Sequence, residues 1–240
     1  MPNKMICVGL VFFLIFFLVG PTGHTLAIEL GGSEKMTNKQ KHIVLLGASI
    51  GKGWNLEEFP QRITEDQYKF EYIGHYDFDK SGPLDKVLHR DDTTKPDAVI
   101  IKECAAYFPG DLDRYKQLVE SWVEQCRQQR VVPVLATVVP VTQFNDIKLR
   151  VKFFLKNLAK FKFSIQGRQG TLLSYNEWIR EYAAEQGIVV LDLEAALRQS
   201  ATTKYLRNDV HNGDGLHLNQ KGYELIDKIV IPALNKVAWH

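Results

Sequence analysis

This sequence has almost no charge imbalance: 30 Lys and Arg against 28 Asp and Glu leave a formal net charge of +2. Without a strongly basic balance there is no global reason to expect nucleic acid as a partner. Cysteine is scarce too, three in 240 residues, while 45% of the chain is hydrophobic and can bury a sizeable core. No internal repeat and no low-complexity tract is visible, so a single domain of about 200 residues is the natural reading.

Long apolar runs are also missing, with one exception. Ile6 to Gly20 is uncharged, follows Lys4, and gives way to a Pro/Gly/Thr stretch and then Thr25-Leu26-Ala27. The run is short for the roughly 20 residues of a spanning helix. Its basic start and the small residues after it describe a secretory signal peptide over 1–27, with an uncleaved N-terminal anchor as the alternative. Cys7 lies before most of the apolar run and is badly placed for lipid attachment. Residues 28–41 read as a polar linker and 42–240 as the domain, expected to work in the periplasm or outside the cell.

Export permits disulfides, but only Cys104 and Cys126 lie beyond the signal. Cys104 ends a strand, and Cys126 falls near the far end of the helix that runs back antiparallel to it. The stretch from Leu112 to Cys126 covers about 21 Å, against a limit of roughly 7 Å between bridged Cα atoms. Two free, mostly buried thiols are expected.

Four short aliphatic runs read as fully buried strands: His42–Leu46, Ala98–Ile101, Val131–Val139 and Ile188–Leu191, with Phe70–Ile73 a weaker fifth. Helical spacing lies between and after them, over Asp111–Gln129, around Tyr175, Trp178, Ile179 and Tyr182, and over Gln220–Val237. Strands alternating with helices imply right-handed crossovers, hence a three-layer α/β/α sandwich of about five parallel strands. Ligands of such sheets bind beyond the carboxyl ends of the strands. Chemistry should therefore sit just after each apolar run.

Gly47-Ala48-Ser49-Ile50-Gly51-Lys52-Gly53 follows the first run. A phosphate-binding P-loop fails here, because only three residues separate Gly47 from Gly51 and Gly53 follows Lys52. The Gly-x-Ser-x-Gly elbow matches formally, but in that fold several strands precede the serine. At the other end of the chain, Asp214-Gly215-Leu216-His217-Leu218-Asn219 leads into the last helix. A serine hydroxyl needs a base, and the imidazole needs a carboxylate to fix its tautomer and stabilise its charged form. An Asp three residues before a His can do this from one loop.

These parts together resemble the SGNH/GDSL-like hydrolase family across the whole domain. Gly47-Ala48-Ser49-Ile50 stands for the Gly-Asp-Ser block, Pro96-Asp97 opens the third strand, and Asp214-Gly215-Leu216-His217 stands for the terminal Asp-x-x-His block. The resemblance implies a flavodoxin-like sandwich and acyl-ester hydrolysis without a cofactor. It assigns Ser49 as nucleophile, His217 as base and then acid, and Asp214 as its orienter. Two positions depart from the family. Its Asp before the serine is Ala48, and the Asn of its Gly-x-Asn-Asp block is Ala106 within Cys104-Ala105-Ala106-Tyr107. That Asn would help hold the oxyanion, and losing one such donor costs about 3–4 kcal/mol. Backbone N–H groups could compensate, from Ser49 itself and from the loop bounded by Gly74 and Gly82. Glu103 beside the gap would repel an oxyanion unless protonated.

Blander roles compete at several positions. Asp214 and His217 could be a turn cap beside a structural histidine, or, with His211, metal ligands. Asp192 reads as the cap of a helix beginning near Leu193. Asp77–Ser81 either lines the pocket or is a solvated loop. Trp178 and Tyr182 read as core packing. The basic, Phe-rich stretch 146–168 reads as a solvated helix face, with a lid or a membrane-surface contact as the alternative. The expected substrate is an acyl ester of a sugar or lipid. An envelope O-acyltransferase, or a catalytically silent module that keeps the fold, is the alternative.

Overall fold

Each apolar run becomes one strand of a five-stranded parallel sheet. The computed structural model describes residues 40–64, 66–143 and 165–239, with side chains from Arg168 onward in the last stretch. The segment expected to be a signal peptide, nearly all of the linker, and the basic stretch up to residue 164 lie outside the described residues. The strands are β1 (Lys41–Gly47), β2 (Tyr68–Gly74), β3 (Ala98–Lys102), β4 (Val132–Ala136) and β5 (Val189–Leu191). Their order is β2-β1-β3-β4-β5, the flavodoxin-like arrangement expected from the resemblance.

Side chains alternate across a strand, and β1 shows why both faces must be covered. Ile43 and Leu45 join one apolar cluster, while Val44 and Leu46 join the other. The first face is covered by α1 (Ser49–Trp54), α2 (Phe59–Ile63), α6 (Leu193–Leu197) and α7 (Gln220–Leu234). The second is covered by α3 (Ser81–Leu88), α4 (Leu112–Gln128) and α5 (Ile165–Gln186). Capping follows sequence signals: Asp111 accepts from the Arg114 N–H at 3.0 Å, and Asn219 from the Gly222 N–H at 3.1 Å. Asp192 caps α6 through the Ala195 N–H at 3.1 Å and also pairs with Arg180, the structural role expected of it.

Three elements differ from the expectation by more than one residue at a boundary. β2 is longer than Phe70–Ile73 and lies at the sheet edge, which explains its weak pattern: Lys69 is exposed and Glu71 half-buried. β4 stops at Ala136, although Val138 and Val139 are buried. There the buried Asn176 side chain takes over from a strand partner, accepting from the Val138 N–H at 2.7 Å and donating to the Val138 carbonyl at 2.9 Å. The last helix ends at Leu234, soon after Pro232, short of Val237. Trp178 and Tyr182 stack on each other with ring centroids 5.1 Å apart and are half-buried at the rim of the core. No helix among the described residues is long and apolar enough to cross a membrane.

Cys104 and Cys126 are free and buried, as expected. Burial pushes the Cys126 thiol up to about 12, so little nucleophilic thiolate exists at neutral pH. Iodoacetamide at pH 8 is therefore expected to leave Cys126 unmodified in the folded protein and to alkylate it fully in urea. Peptide mass spectrometry reads both states.

Candidate active site

β1 delivers its last buried residue, Gly47, to a turn in which Ala48 is extended and Ser49 opens α1. The Ser49 N–H stands at the first helical position, where no intrahelical acceptor exists. Two residues on, Gly51 leaves room for a ring: a Cβ there would lie 2.8 Å from Cε2 of Tyr72. The close approach lets the Tyr72 hydroxyl donate to the Ala48 carbonyl at 3.0 Å and reach that of Gly47 at 3.2 Å. The His75 N–H adds a bond to the Gly47 carbonyl at 2.8 Å. The serine turn is thus held from β2, by a tyrosine that the sequence reading did not single out.

The other half of the site is the loop leading into α7. An antiparallel bridge pairs His211 with Leu218 and closes it. Gly213 and Gly215, on either side of Asp214, have φ of +94° and +72°, which favours glycine at both. His211 Nδ1 accepts from the Gly213 N–H at 2.9 Å and the Gly215 N–H at 3.4 Å. That ring organises the loop, a role that its position three residues before Asp214 did not reveal. The Thr142 N–H pins the loop to the segment after β4 through the Gly215 carbonyl at 3.1 Å.

Asp214 Oδ1 accepts from the Leu216 N–H at 2.9 Å and the His217 N–H at 2.8 Å. Its Oδ2 lies 2.6 Å from His217 Nδ1, and His217 Nε2 lies 3.0 Å from Ser49 Oγ. The structure therefore brings together all three residues singled out by spacing. Burial opposes ionisation of Asp214, but hydrogen bonds from the His217 ring and from the His217 and Leu216 amides outweigh it and lower the pKa. An ionised carboxylate only accepts, so Nδ1 carries the proton and Nε2 presents its lone pair to the serine hydroxyl. This arrangement can draw a proton from Ser49 as it attacks and stabilise the imidazolium that results. Asp214 and His217 side chains are 39% and 38% exposed, so the site is open to solvent.

The two glycines expected to bound an oxyanion loop, Gly74 and Gly82, sit in different surroundings. Gly74 ends β2 in register with Gly47, beside the serine turn. Gly82 sits in the first turn of α3 with open space where a Cβ would be, so nothing there demands glycine. Between them, Phe78 and Lys80 of the 77–81 stretch are buried, which a solvated loop would not show. Ala105–Tyr107 form a short 3-10 turn in which Ala106 is exposed and offers no side-chain amide. Beneath it lie three fully buried charged residues, Lys80, Lys102 and Glu103. Lys80 Nζ donates to Glu103 Oε2 at 2.5 Å, and Lys102 Nζ to the Glu103 carbonyl at 3.1 Å. Glu103 Oε1 is buried and has no hydrogen-bond partner among the described residues. Burial pushes the Glu103 carboxyl up to about 7 against the pull of Lys80 and Lys102.

No group of three or more His, Cys, Asp or Glu side chains among the described residues is placed to hold a metal ion. Of the basic stretch 146–168 only Arg168 has a described side chain, and its Nε donates to the Phe108 carbonyl at 3.1 Å.

A model of the GDSL-like lipase/acylhydrolase family matches residues 46–225. Among solved structures, a Bacteroides fragilis protein proposed to be an acylhydrolase is 22% identical at a TM-score of 0.61, over 82% of this chain and 87% of its own. A GDSL-like lipase from Bacteroides thetaiotaomicron is 19% identical at 0.60, over 82% and 88%. An acetyl xylan esterase from Geobacillus stearothermophilus, solved as a variant, is 14% identical at 0.54, over 83% and 95%. At these identities the structural likeness establishes the fold. A comparison with curated proteins gives no sequence match.

Glu103 has a measurable signature. Its folded pKa is raised, so the folded protein holds this proton more tightly than the unfolded chain does. The stability of the wild type relative to Glu103→Gln is therefore expected to fall as pH rises from about 4.5 to about 7, and to level off above. Urea unfolding of both proteins across that range checks the sign.

Proposed function

The chain belongs to the GDSL-like lipase/acylhydrolase family, and on that premise we propose that it is an exported serine esterase in which Ser49, His217 and Asp214 cleave an acyl ester. The observation that carries this reading is the unbroken chain of hydrogen bonds from Asp214 through His217 to Ser49. Ser49 Oγ attacks the ester carbonyl while His217 Nε2 takes its proton. The tetrahedral oxyanion is met by the Ser49 N–H and by an N–H from the loop between β2 and α3, the stretch bounded by Gly74 and Gly82. The imidazolium returns the proton to the leaving alcohol and frees it. Water, activated by the same His217, then hydrolyses the acyl-serine. No step in this sequence calls on a cofactor.

Acylated sugars or lipids of the envelope or its surroundings are the proposed substrates. The secretory character of residues 1–27 supports the location, and the partial exposure of Asp214 and His217 leaves the site open to a substrate from solvent. Ala106 favours one competing reading, a silent module that keeps the fold but lacks a side-chain oxyanion donor. Transfer of the acyl group to a sugar hydroxyl would use the same three residues and differ only in the acceptor.

Hydrolysis of p-nitrophenyl acetate, butyrate and octanoate is expected from the wild type and is expected to vanish in Ser49→Ala. Asp214→Asn keeps the shape but misplaces the imidazole proton, so its kcat should fall on the order of 10⁴-fold. A fluorophosphonate should label Ser49; its failure to label, with no turnover of any ester, would leave the silent module standing. Adding a sugar acceptor and analysing products separates hydrolysis from transfer.

A further inference from the structure

We propose that the buried Lys80–Glu103 pair is a positioning device for the oxyanion side of the site, orienting the backbone amides of the loop between β2 and α3 that stand in for the side-chain amide absent at Ala106. The inference rests on the esterase reading above and deepens it.

Topology supplies the first argument. β2 and β3 flank β1, so a link between the segment after β2 and the segment after β3 must pass across the carboxyl end of β1. Lys80 lies on the first of these segments and Glu103 on the second, and their bond at 2.5 Å is that link. The end of β1 is tight against the residue before Glu103: a Cβ on Gly47 would stand 3.3 Å from the Lys102 carbonyl oxygen and 3.4 Å from Lys102 Cβ. Ser49 follows two residues later.

The loop itself is the second argument. Lys80 Nζ donates to the Asp77 carbonyl at 3.1 Å and the Phe78 carbonyl at 3.3 Å as well as to Glu103, which uses all three ammonium protons. The Tyr107 hydroxyl donates to the His75 carbonyl at 3.4 Å, and the His75 ring Nε2 donates to the Asp79 carbonyl at 2.8 Å. From His75 to Asp79, then, every carbonyl except that of Tyr76 is held by a side chain. In a trans peptide the C=O and N–H point in opposite directions. The peptide whose Phe78 carbonyl faces Lys80 therefore presents the Asp79 N–H on the far side, and the ammonium fixes that plane. Lys80 Nζ is itself held among the rings of Phe78, Tyr107 and Trp122, 5.4–5.9 Å from their centroids.

The third argument is energetic. A fully buried ion pair is weak grounds for stability, since well-packed apolar residues commonly replace one without loss. Here the pair also leaves Glu103 Oε1 unsatisfied, a further cost of burial. A costly arrangement that spans the carboxyl end of β1 is accounted for by the geometry it imposes.

The test compares wild type, Lys80→Met/Glu103→Leu and Glu103→Gln at about pH 8. It reads kcat and KM on p-nitrophenyl acetate, the affinity for phenylboronic acid (a serine-directed tetrahedral mimic), and thermal unfolding. The apolar double variant is expected to fold, to lose about 100-fold in kcat with KM within about threefold, and to lose boronic acid affinity in parallel. Glu103→Gln keeps an acceptor for Lys80 and should remain within about tenfold of wild type. A double variant with wild-type kcat and boronic acid affinity, whatever its unfolding temperature, overturns the inference and leaves a merely structural pair. Should the double variant not fold, Glu103→Gln decides: a loss of boronic acid affinity of about threefold or more upholds the inference, and any smaller loss or none overturns it. Wild-type protein without any Ser49-dependent turnover overturns the esterase reading and this one together.

Discussion

A parallel sheet buried on both faces leaves its polar backbone only one convenient outlet, the ends of its strands, and β1 is the strand for which this constraint is tightest. It is paired along its length with β2 and over Leu46–Ile43 with β3, and each of its side chains from Ile43 to Leu46 is fully buried. Nothing in such a strand can move independently. Ser49, two residues beyond it, inherits that rigidity without any strain of its own, since Ala48 is extended and Ser49 is already helical. The proposed chemistry needs a nucleophile fixed to within fractions of an ångström, and the hydrophobic core supplies the fixing.

Around that fixed point two carboxylates sit in opposite environments. Asp214 is partly exposed, takes two backbone N–H bonds and the imidazole N–H, and is held in its ionised form. Glu103 is fully buried and pushed toward its neutral form, with two lysines pulling back. Environments that drive two acids apart assign them different work. In the proposed mechanism the first steadies a cation that comes and goes with each proton transfer. The second stays out of reach of solvent and steadies a loop.

Sequence alone was a good guide where the signal is local and periodic. Four aliphatic runs and three amphipathic stretches were enough for the layered fold, because burying both faces of a parallel sheet forces that pattern. Ser49, Asp214 and His217 were legible because a serine after a buried strand and an Asp three residues before a His are short-range signatures. The burial of Lys102 and Glu103 was not, although Glu103 stood out for its place beside Ala106. They follow directly on Ile100-Ile101, where the sheet is buried on both sides, yet a Lys-Glu dipeptide at a strand end reads as the return to solvent. Their burial is decided by Lys80, 23 residues away from Glu103. Tyr72 was equally invisible, since its hydroxyl acts on carbonyls 24 and 25 residues earlier in the chain. Val138 misled for a related reason: its backbone is satisfied by the side chain of Asn176 rather than by a strand, and periodicity cannot distinguish the two.

The two departures from the family pattern, Ala48 and Ala106, both remove a polar side chain from the rim of the site. Both are answered from the same direction. Beside Ala48, the Tyr72 hydroxyl of β2 holds the carbonyls of the serine turn. Beside Ala106, the loop that continues from β2 sends Lys80 under the gap to Glu103. An edge strand is suited to this. One of its sides has no strand partner, so its side chains can be polar without breaking a core, and the loop after it can be long without displacing a neighbour. Tyr72 and the His75–Lys80 loop occupy that freedom. Lys102 and Glu103 meet that loop from the end of β3, so the polar framework around Ser49 draws on both strands that flank β1 and on the loop that carries Asp214 and His217.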